Sequence, residues 1–112
     1  MDSDLVKLLA AKIDAANLPK PVFEYKFHDQ RKWAFDICWP QYMLAVEVEG
    51  GIWTGGRHVN PKGYTADREK YNTAQLFGWT VLSYVDEHIK TAYAINQIKA
   101  AFLLLNGNLD DD

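Results

Sequence analysis

Residues 36–49 read Asp36-Ile-Cys-Trp-Pro-Gln-Tyr-Met-Leu-Ala-Val-Glu47-Val-Glu49. Over residues 33–39 and 43–49, large apolar residues occupy every second position. A hydrophobic pattern that repeats every two residues is typical of β-strands. Two strands are therefore predicted, over 33–39 and 43–49. The proline between them predicts a turn, because proline cannot donate a hydrogen bond to a sheet ladder. The stretch as a whole predicts an antiparallel hairpin.

The register of this hairpin brings like charges together. A turn over residues 40–43 pairs Trp39 with Leu44, and Asp36 then lies directly opposite Glu47. Opposed carboxylates destabilise a sheet unless something offsets their repulsion. A bound divalent cation offsets it, since carboxylate oxygens are hard ligands. The alternative is an ordinary half-exposed hairpin whose acids face solvent.

Alternation also predicts which face of the sheet each side chain takes. Glu49 shares a face with Glu47. A further strand over 22–27 places Glu24 and Lys26 together on one face. Two aromatic-rich sets are each predicted to share a face: Phe23, Tyr25 and Phe27 in one strand, and Trp33, Phe35, Ile37 and Trp39 in the next.

The remaining elements complete one α/β domain over 1–112. Helices are predicted over 3–16, 64–77 and about 87–105, a last strand over 79–84, and a glycine-rich loop over 50–63. The order α-β-β-β-α-β-α predicts a mixed four-stranded sheet flanked by helices, with its core over about 20–90. Residues 107–112 are expected to form a disordered tail.

Composition limits the class of protein. The chain of 112 residues is 48% hydrophobic, has a net charge of −3, and contains no apolar run near the length of a membrane span. Its one cysteine, Cys38, is interpreted as a packing residue, and a reducing cytoplasmic location is expected. The acidic balance predicts weak, salt-sensitive contact with nucleic acid.

In this arrangement the chain resembles the PD-(D/E)XK nuclease superfamily, and in detail its small phage-type and VRR-NUC-like endonucleases. The resemblance covers about residues 20–90 and implies a restriction-endonuclease-like core. The residues that carry it are Glu24, Asp36, the run Glu47-Val-Glu49-Gly50-Gly51, His58, Asp67, Lys70 and Gly78-Trp79.

The resemblance implies metal-dependent hydrolysis of DNA phosphodiester bonds with Mg²⁺ or Mn²⁺. Asp36 and Glu47 would hold the metal together with the backbone carbonyl of Val48, and Glu24 would hold a second metal or orient a water. Glu49 stands where the family usually has a catalytic lysine. The resemblance implies that Lys70, from the following helix, replaces it.

Lys26 is the second choice for that role, and it also suits contact with phosphate. Arg57 and Lys62 flank glycines in the long loop, so they suit phosphate contact or serve only solubility. His58 could contact phosphate, move a proton or be an ordinary loop histidine. The broadly apolar final helix allows a homodimer.

Two other functions stay open. The missing lysine and the acidic charge favour a non-catalytic nucleic-acid-binding or protein-interaction module with the same fold, and a non-nucleolytic metal-binding domain is a third reading. The sequence alone does not distinguish DNA from RNA as the substrate, and phage origin follows only from the resemblance and the small size. Duplex, flap and junction substrates are not distinguished.

Overall fold

A mixed four-stranded sheet with helices on both faces forms the framework of the protein. The computed structural model describes residues 3–49 and 61–110. In chain order the elements are α1 (Ser3–Ala15), β1 (Val22–Lys26), β2 (Ala34–Trp39), β3 (Leu44–Val48), α2 (Pro61–Leu76), β4 (Thr80–Tyr84), α3 (Asp86–Lys90) and α4 (Tyr93–Asp110).

The strands lie in the order β1-β2-β3-β4. The pairs β1/β2 and β2/β3 are antiparallel, whereas β3 and β4 are parallel because α2 carries the chain back across the sheet. This arrangement confirms the predicted α/β fold class.

The predicted hairpin register is also confirmed. Trp39 pairs with Leu44 and Ile37 with Val46, so Asp36 and Glu47 occupy the next opposed positions. The turn is a short 3₁₀ helix over Pro40–Tyr42, and Met43 follows it in the left-handed conformation and donates its N–H to the carbonyl of Pro40.

The two faces of the sheet bury different cores. The larger core lies under α1 and α4 and includes Leu9, Ile37, Leu44 and Ile98. The smaller core lies under α2 and contains Phe35, Cys38, Ala45, Ala74 and Trp79. Fully burying one leucine, isoleucine or phenylalanine side chain stabilises a fold by about 1.5–3 kcal/mol, and each core contains at least one of these residues.

The predicted alternation fails at one level of the sheet. Phe35 packs in the core under α2, whereas Ile37 and Trp39 pack under α1 and α4. Phe23 similarly lines a groove against α1 while Tyr25 packs against the α2 core. Glu24 has a φ of 53°, and this left-handed residue interrupts the β1/β2 ladder opposite Asp36. The predictions of a single shared face for each aromatic set were therefore wrong.

The end of the chain also differs from its prediction. The helix expected over about 87–105 is two helices, and α4 continues to Asp110, so residues 107–110 are helical rather than a disordered tail. Thr91 separates the helices because its hydroxyl oxygen accepts the N–H of Tyr93 at 3.3 Å, as a helix-capping side chain does. Residues 111–112 lie outside the described residues. No helix in the described ranges has the length and apolar character needed to cross a membrane.

Gly78 follows the end of α2 as predicted and lies in the turn that leads into β4. Its φ of +97° is a conformation that glycine adopts without a Cβ clash. The N–H of Gly78 bonds to the carbonyl of Gln75, and that of Trp79 bonds to the carbonyl of Ala74. The turn therefore satisfies the open carbonyls at the end of α2.

Candidate active site

Asp36 and Glu47 interlock where the hairpin ladder ends. The backbone N–H of Asp36 donates to Oε2 of Glu47 at 2.9 Å. The N–H of Val48 donates to Oδ2 of Asp36 at 2.7 Å. Each carboxylate is thus held by the backbone of the opposite strand, so the two acids are fixed in place side by side. Backbone N–H donors of this kind stabilise a charged carboxylate.

Lys70 reaches this pair from α2. Its Nζ lies 2.6 Å from Oε1 of Glu47 and 2.6 Å from the carbonyl oxygen of Ala34. The side chains of Lys70 and Glu47 are 12% and 6% exposed, so the ion pair is nearly buried. The structure therefore brings together three of the predicted site residues, Asp36, Glu47 and Lys70.

The electrostatics of the pair are unfavourable for two charged carboxylates. Burial raises the pKa of Glu47 to about 7; Lys70 opposes this shift and Asp36 adds to it. Burial also raises the pKa of Asp36, and the negative charge of Glu24 raises it further. The hydrogen bond from the N–H of Val48 and the positive charge of Lys70 lower it, but by less. The site therefore carries more negative charge than its surroundings compensate, and it favours a proton or a cation.

The donor atoms fit a hard cation that keeps part of its water shell. Within residues 3–49 and 61–110, no group of three or more His, Cys, Asp or Glu side chains is arranged to hold a metal ion. Asp36 and Glu47 supply two carboxylates, and Mg²⁺ is commonly bound by one or two carboxylates together with several waters. The chemistry of this donor set is therefore compatible with Mg²⁺ or Mn²⁺.

Glu49 lies on the same face and bonds to two residues that sequence analysis did not identify. Its Oε2 accepts the hydroxyl of Tyr71 at 2.6 Å and the hydroxyl of Ser83 at 2.8 Å. Burial and the bond to Glu49 raise the pKa of Tyr71, which keeps it a donor. The carboxylate therefore links β3 to α2 and β4. The sequence carried a signal for Ser83, since it is a polar residue between the apolar Leu82 and Tyr84.

Glu24 and Lys26 lie on the exposed strand β1. Glu24 sits between the paired positions Phe23↔Ile37 and Tyr25↔Phe35, which places it level with Asp36. Glu24, Asp36 and Glu47 therefore lie side by side across the adjacent strands β1, β2 and β3. Lys26 pairs in register with Ala34, whose carbonyl accepts the amine of Lys70.

Four further residues were singled out in the sequence: Arg57, His58, Lys62 and Cys38. Arg57 and His58 lie outside the described residues, and Lys62 is in the first turn of α2. Cys38 is fully buried, and burial with the nearby charge of Glu47 raises the pKa of its thiol to about 12. A thiol with such a pKa is no nucleophile at neutral pH, in agreement with the packing role predicted for it.

Known proteins share this fold. The Homing Endonuclease I-Bth0305I Catalytic Domain superposes with a TM-score of 0.59 at 16% identity, covering 93% of this chain and 94% of that domain. At this identity the likeness shows that the two proteins share a fold. It agrees with the restriction-endonuclease-like architecture expected from the sequence.

Sequence relatives occur in Mycobacterium tuberculosis. The uncharacterized proteins MT2308 (strain CDC 1551 / Oshkosh) and Rv2248 (strain ATCC 25618 / H37Rv) are each 29% identical over 75 residues. The match covers 65% of this chain and 26% of each relative, so the chain spans about a quarter of their length. No protein-family model matches the sequence.

Proposed function

We propose that this chain is a metal-dependent endonuclease of the PD-(D/E)XK type that hydrolyses DNA phosphodiester bonds. The observation that carries the proposal is the contact between Lys70 and Glu47, next to Asp36. Residue 49 is a glutamate instead of the family's usual lysine, and Lys70 supplies the missing amine from α2. The fold shared with a homing endonuclease catalytic domain supports it.

Asp36, Glu47 and the backbone carbonyl of Val48 would hold Mg²⁺ or Mn²⁺. A divalent cation bound there supplies Lewis acidity to a phosphodiester and stabilises the negative charge that develops during hydrolysis. The interlocked backbone hydrogen bonds keep both carboxylates in position before the substrate arrives. A site organised in advance loses less free energy to rearrangement during the reaction.

Lys70 would orient the attacking water and stabilise charge on the phosphate. A protonated amine has three N–H donors, and Lys70 directs two of them to Glu47 and Ala34. Among the described residues its amine bonds to no further oxygen, so the third donor can serve a water or a phosphate oxygen. Because the amine is nearly buried, the effective dielectric constant around it is lower than that of water. Its electrostatic attraction to a negatively charged phosphate is therefore stronger than it would be in water.

Glu49 is proposed as a positioning residue. Its carboxylate holds Tyr71, the neighbour of Lys70 on α2, and so sets the distance between α2 and the sheet. Glu24 would orient a water or support a second metal from β1. Lys26, Arg57, His58 and Lys62 are proposed to contact DNA phosphates. The proposal also includes a homodimer acting in the cytoplasm, of the host if the chain is phage-encoded.

The test is a cleavage assay on linear duplex, single-stranded, flapped and four-way-junction DNA. Cleavage should require Mg²⁺ or Mn²⁺, stop with EDTA, and be lost in Asp36→Asn and Glu47→Gln. Glu87→Gln, an exposed residue of α3, is the matched control and should cleave like the parent protein. Equal cleavage by the parent and both site variants would overturn the site.

The main alternative is a nucleic-acid-binding or protein-interaction module that has lost catalysis. The observation that favours it is Glu49 at the position of the usual lysine, held there by Tyr71 and Ser83. DNA binding by the folded, metal-supplied chain without cleavage of any substrate would support this alternative over the endonuclease.

A further inference from the structure

A basic and aromatic surface lies next to the candidate site. We call residues 26–33, which read Lys26-Phe-His-Asp-Gln-Arg-Lys-Trp33, the connector patch because they join β1 to β2. The patch contains three Lys or Arg residues and one Asp, although the whole chain has a net charge of −3. It is therefore a local positive region on an acidic protein.

Arg31 is held in a fixed orientation on this surface. Its guanidinium carbon lies 3.9 Å from the centroid of the Trp33 ring. Among the described residues Arg31 makes no ion pair with an acid, and it is exposed. A guanidinium stacked on an indole keeps its N–H edge available while losing conformational freedom. Binding an anion there costs less entropy than binding it to a free side chain.

His28 fixes the backbone that carries Arg31. Its Nδ1 accepts the N–H of Gln30 at 3.1 Å and the N–H of Arg31 at 3.0 Å. The imidazole is stacked on Phe77 at 5.5 Å between centroids and lies edge-on to Trp33 at 5.4 Å. These contacts make the turn rigid, which a solvated loop serving only solubility does not require.

The patch ends next to the residue whose carbonyl Lys70 contacts. Lys70 bonds to the carbonyl of Ala34, which directly follows Trp33. Consecutive Cα atoms are about 3.8 Å apart, so Trp33 begins within a few ångströms of that contact. Lys26, at the other end of the patch, pairs in register with the same Ala34. A DNA strand with a phosphate at Lys70 would therefore pass over the patch.

We propose that the connector patch binds a phosphate of the DNA strand next to the one at the candidate site, with Arg31 as the contact. This inference rests on the proposed function in that DNA is the ligand and one of its phosphates lies at the candidate site. A guanidinium matches two phosphate oxygens at once, and Trp33 holds it at one position along the strand. The patch would thereby set which phosphodiester enters the site.

The test measures binding of a fluorescein-labelled DNA duplex in EDTA, so that no cleavage occurs. Arg31→Ala should weaken binding by about tenfold or more, since a hydrogen bond to a charged group is worth about 1.5–3 kcal/mol. The slope of log affinity against log salt should fall by about 0.9, the value for one phosphate contact. Lys99→Ala, an exposed lysine of α4, is the control and should change neither quantity.

Arg31→Lys keeps the charge and the alkyl stem, and it tests the stacked guanidinium if the alanine variant does not fold. We expect it to recover only part of the affinity. Full recovery, an unchanged salt slope in Arg31→Ala, or no DNA binding by the parent chain at low salt would each overturn the inference. Weaker binding by Arg31→Ala combined with no cleavage by the parent would support the patch and refute the endonuclease.

Discussion

At the scale of single residues, Lys70 is the position on which the proposed chemistry depends. The resemblance to the PD-(D/E)XK superfamily implied a lysine recruited from the following helix. The structure places the amine of Lys70 2.6 Å from Glu47, across 23 residues of chain. Its contact with the carboxylate is observed, whereas its catalytic role stays a prediction.

Lys70→Met should therefore lower the cleavage rate by about 10²–10³-fold, the usual cost of removing one donor that stabilises charge in a transition state. Methionine has a similar length but no charge, so the packing of α2 should survive. The rate constant at saturating substrate is the measurement, with Lys99→Met as control. An unchanged rate in Lys70→Met and a reduced rate in Lys26→Met would move the role to Lys26.

The raised pKa of Glu47 predicts that the stability of the metal-free protein depends on pH. Its pKa is about 7 in the folded protein against an ordinary value of 4.5. Between these values the folded state binds more protons at Glu47 than the unfolded state does, so the free energy of unfolding falls as the pH rises. Unfolding by urea in EDTA should therefore give a lower free energy at pH 7.5 than at pH 5.

Glu47→Gln tests the source of this dependence because glutamine cannot lose a proton. The variant should lose much less stability than the parent over the same pH interval. Mg²⁺ should stabilise the parent more at pH 7.5 than at pH 5, since a cation binds the charged carboxylates. A parent protein that becomes more stable with rising pH in EDTA would contradict the assignment.

At the scale of elements, α2 is fastened to the sheet by Glu49. The carboxylate accepts hydroxyl hydrogen bonds from Tyr71 of α2 and Ser83 of β4. Local sequence rules place Tyr71 and Ser83 on a helix and a strand, but they do not show that both meet one carboxylate. Only the packing of α2 across the sheet decides that contact.

Tyr71→Phe should lower the free energy of unfolding by about 1.5–3 kcal/mol, because it removes a hydrogen bond to a charged group. Ser83→Ala should cost less, since Ser83 is the more exposed partner. Tyr71→Phe should also slow cleavage, because α2 carries Lys70. Urea unfolding measures the first effect and the cleavage rate measures the second. An unchanged free energy of unfolding and an unchanged cleavage rate in Tyr71→Phe would exclude the role of Glu49 in holding α2 to the sheet.

The irregular strand β1 gives a second prediction at this scale. Glu24 has a φ of 53°, and a left-handed conformation costs a residue with a Cβ about 1–2 kcal/mol. Glu24→Gly should therefore be more stable than Glu24→Val by at least about 1 kcal/mol, although valine favours regular strands. Thermal unfolding compares the pair. A valine variant as stable as the glycine variant would indicate an extended backbone at this position.

At the scale of the whole molecule, the fold superposes on a homing endonuclease catalytic domain over 93% of this chain and 94% of that domain. The tuberculosis relatives are about four times longer than the matched region, so the fold described here corresponds to one part of them. Strand order and face coverage are properties of the entire chain and depend on how α2 returns across the sheet.

The predicted homodimer belongs to this scale. α4 buries Ala94, Ile98 and Phe102, yet Leu103 and Leu104 on the same helix are 75% and 79% exposed. We expect the parent protein to sediment as a dimer and the double variant Leu103→Glu, Leu104→Glu to sediment as a monomer with an unchanged circular dichroism spectrum. A monomeric parent protein at micromolar concentration would contradict the dimer.

The sequence by itself determined the hairpin, its register and the glycine that ends α2. These features depend on neighbours within a few residues: alternation sets the strands, Pro40 sets the turn, and Gly78 takes a φ of +97°. The same local rules placed Asp36 opposite Glu47. They also predicted the order of the elements as far as β4, whereas the single helix predicted after β4 is two helices, α3 and α4.

The tertiary structure alone decided the contact of Lys70 with Glu47, the partners of Glu49 and the face taken by Phe35. Each depends on groups far apart in sequence that packing brings together, and no local period encodes the distance between a helix and a sheet. The change of sheet face between Phe35 and Ile37 was also decided by the tertiary structure, because the rule of alternation assumes a regularly pleated strand. At this level the carboxylates of Asp36 and Glu47 accept backbone N–H groups in place of the ladder hydrogen bonds.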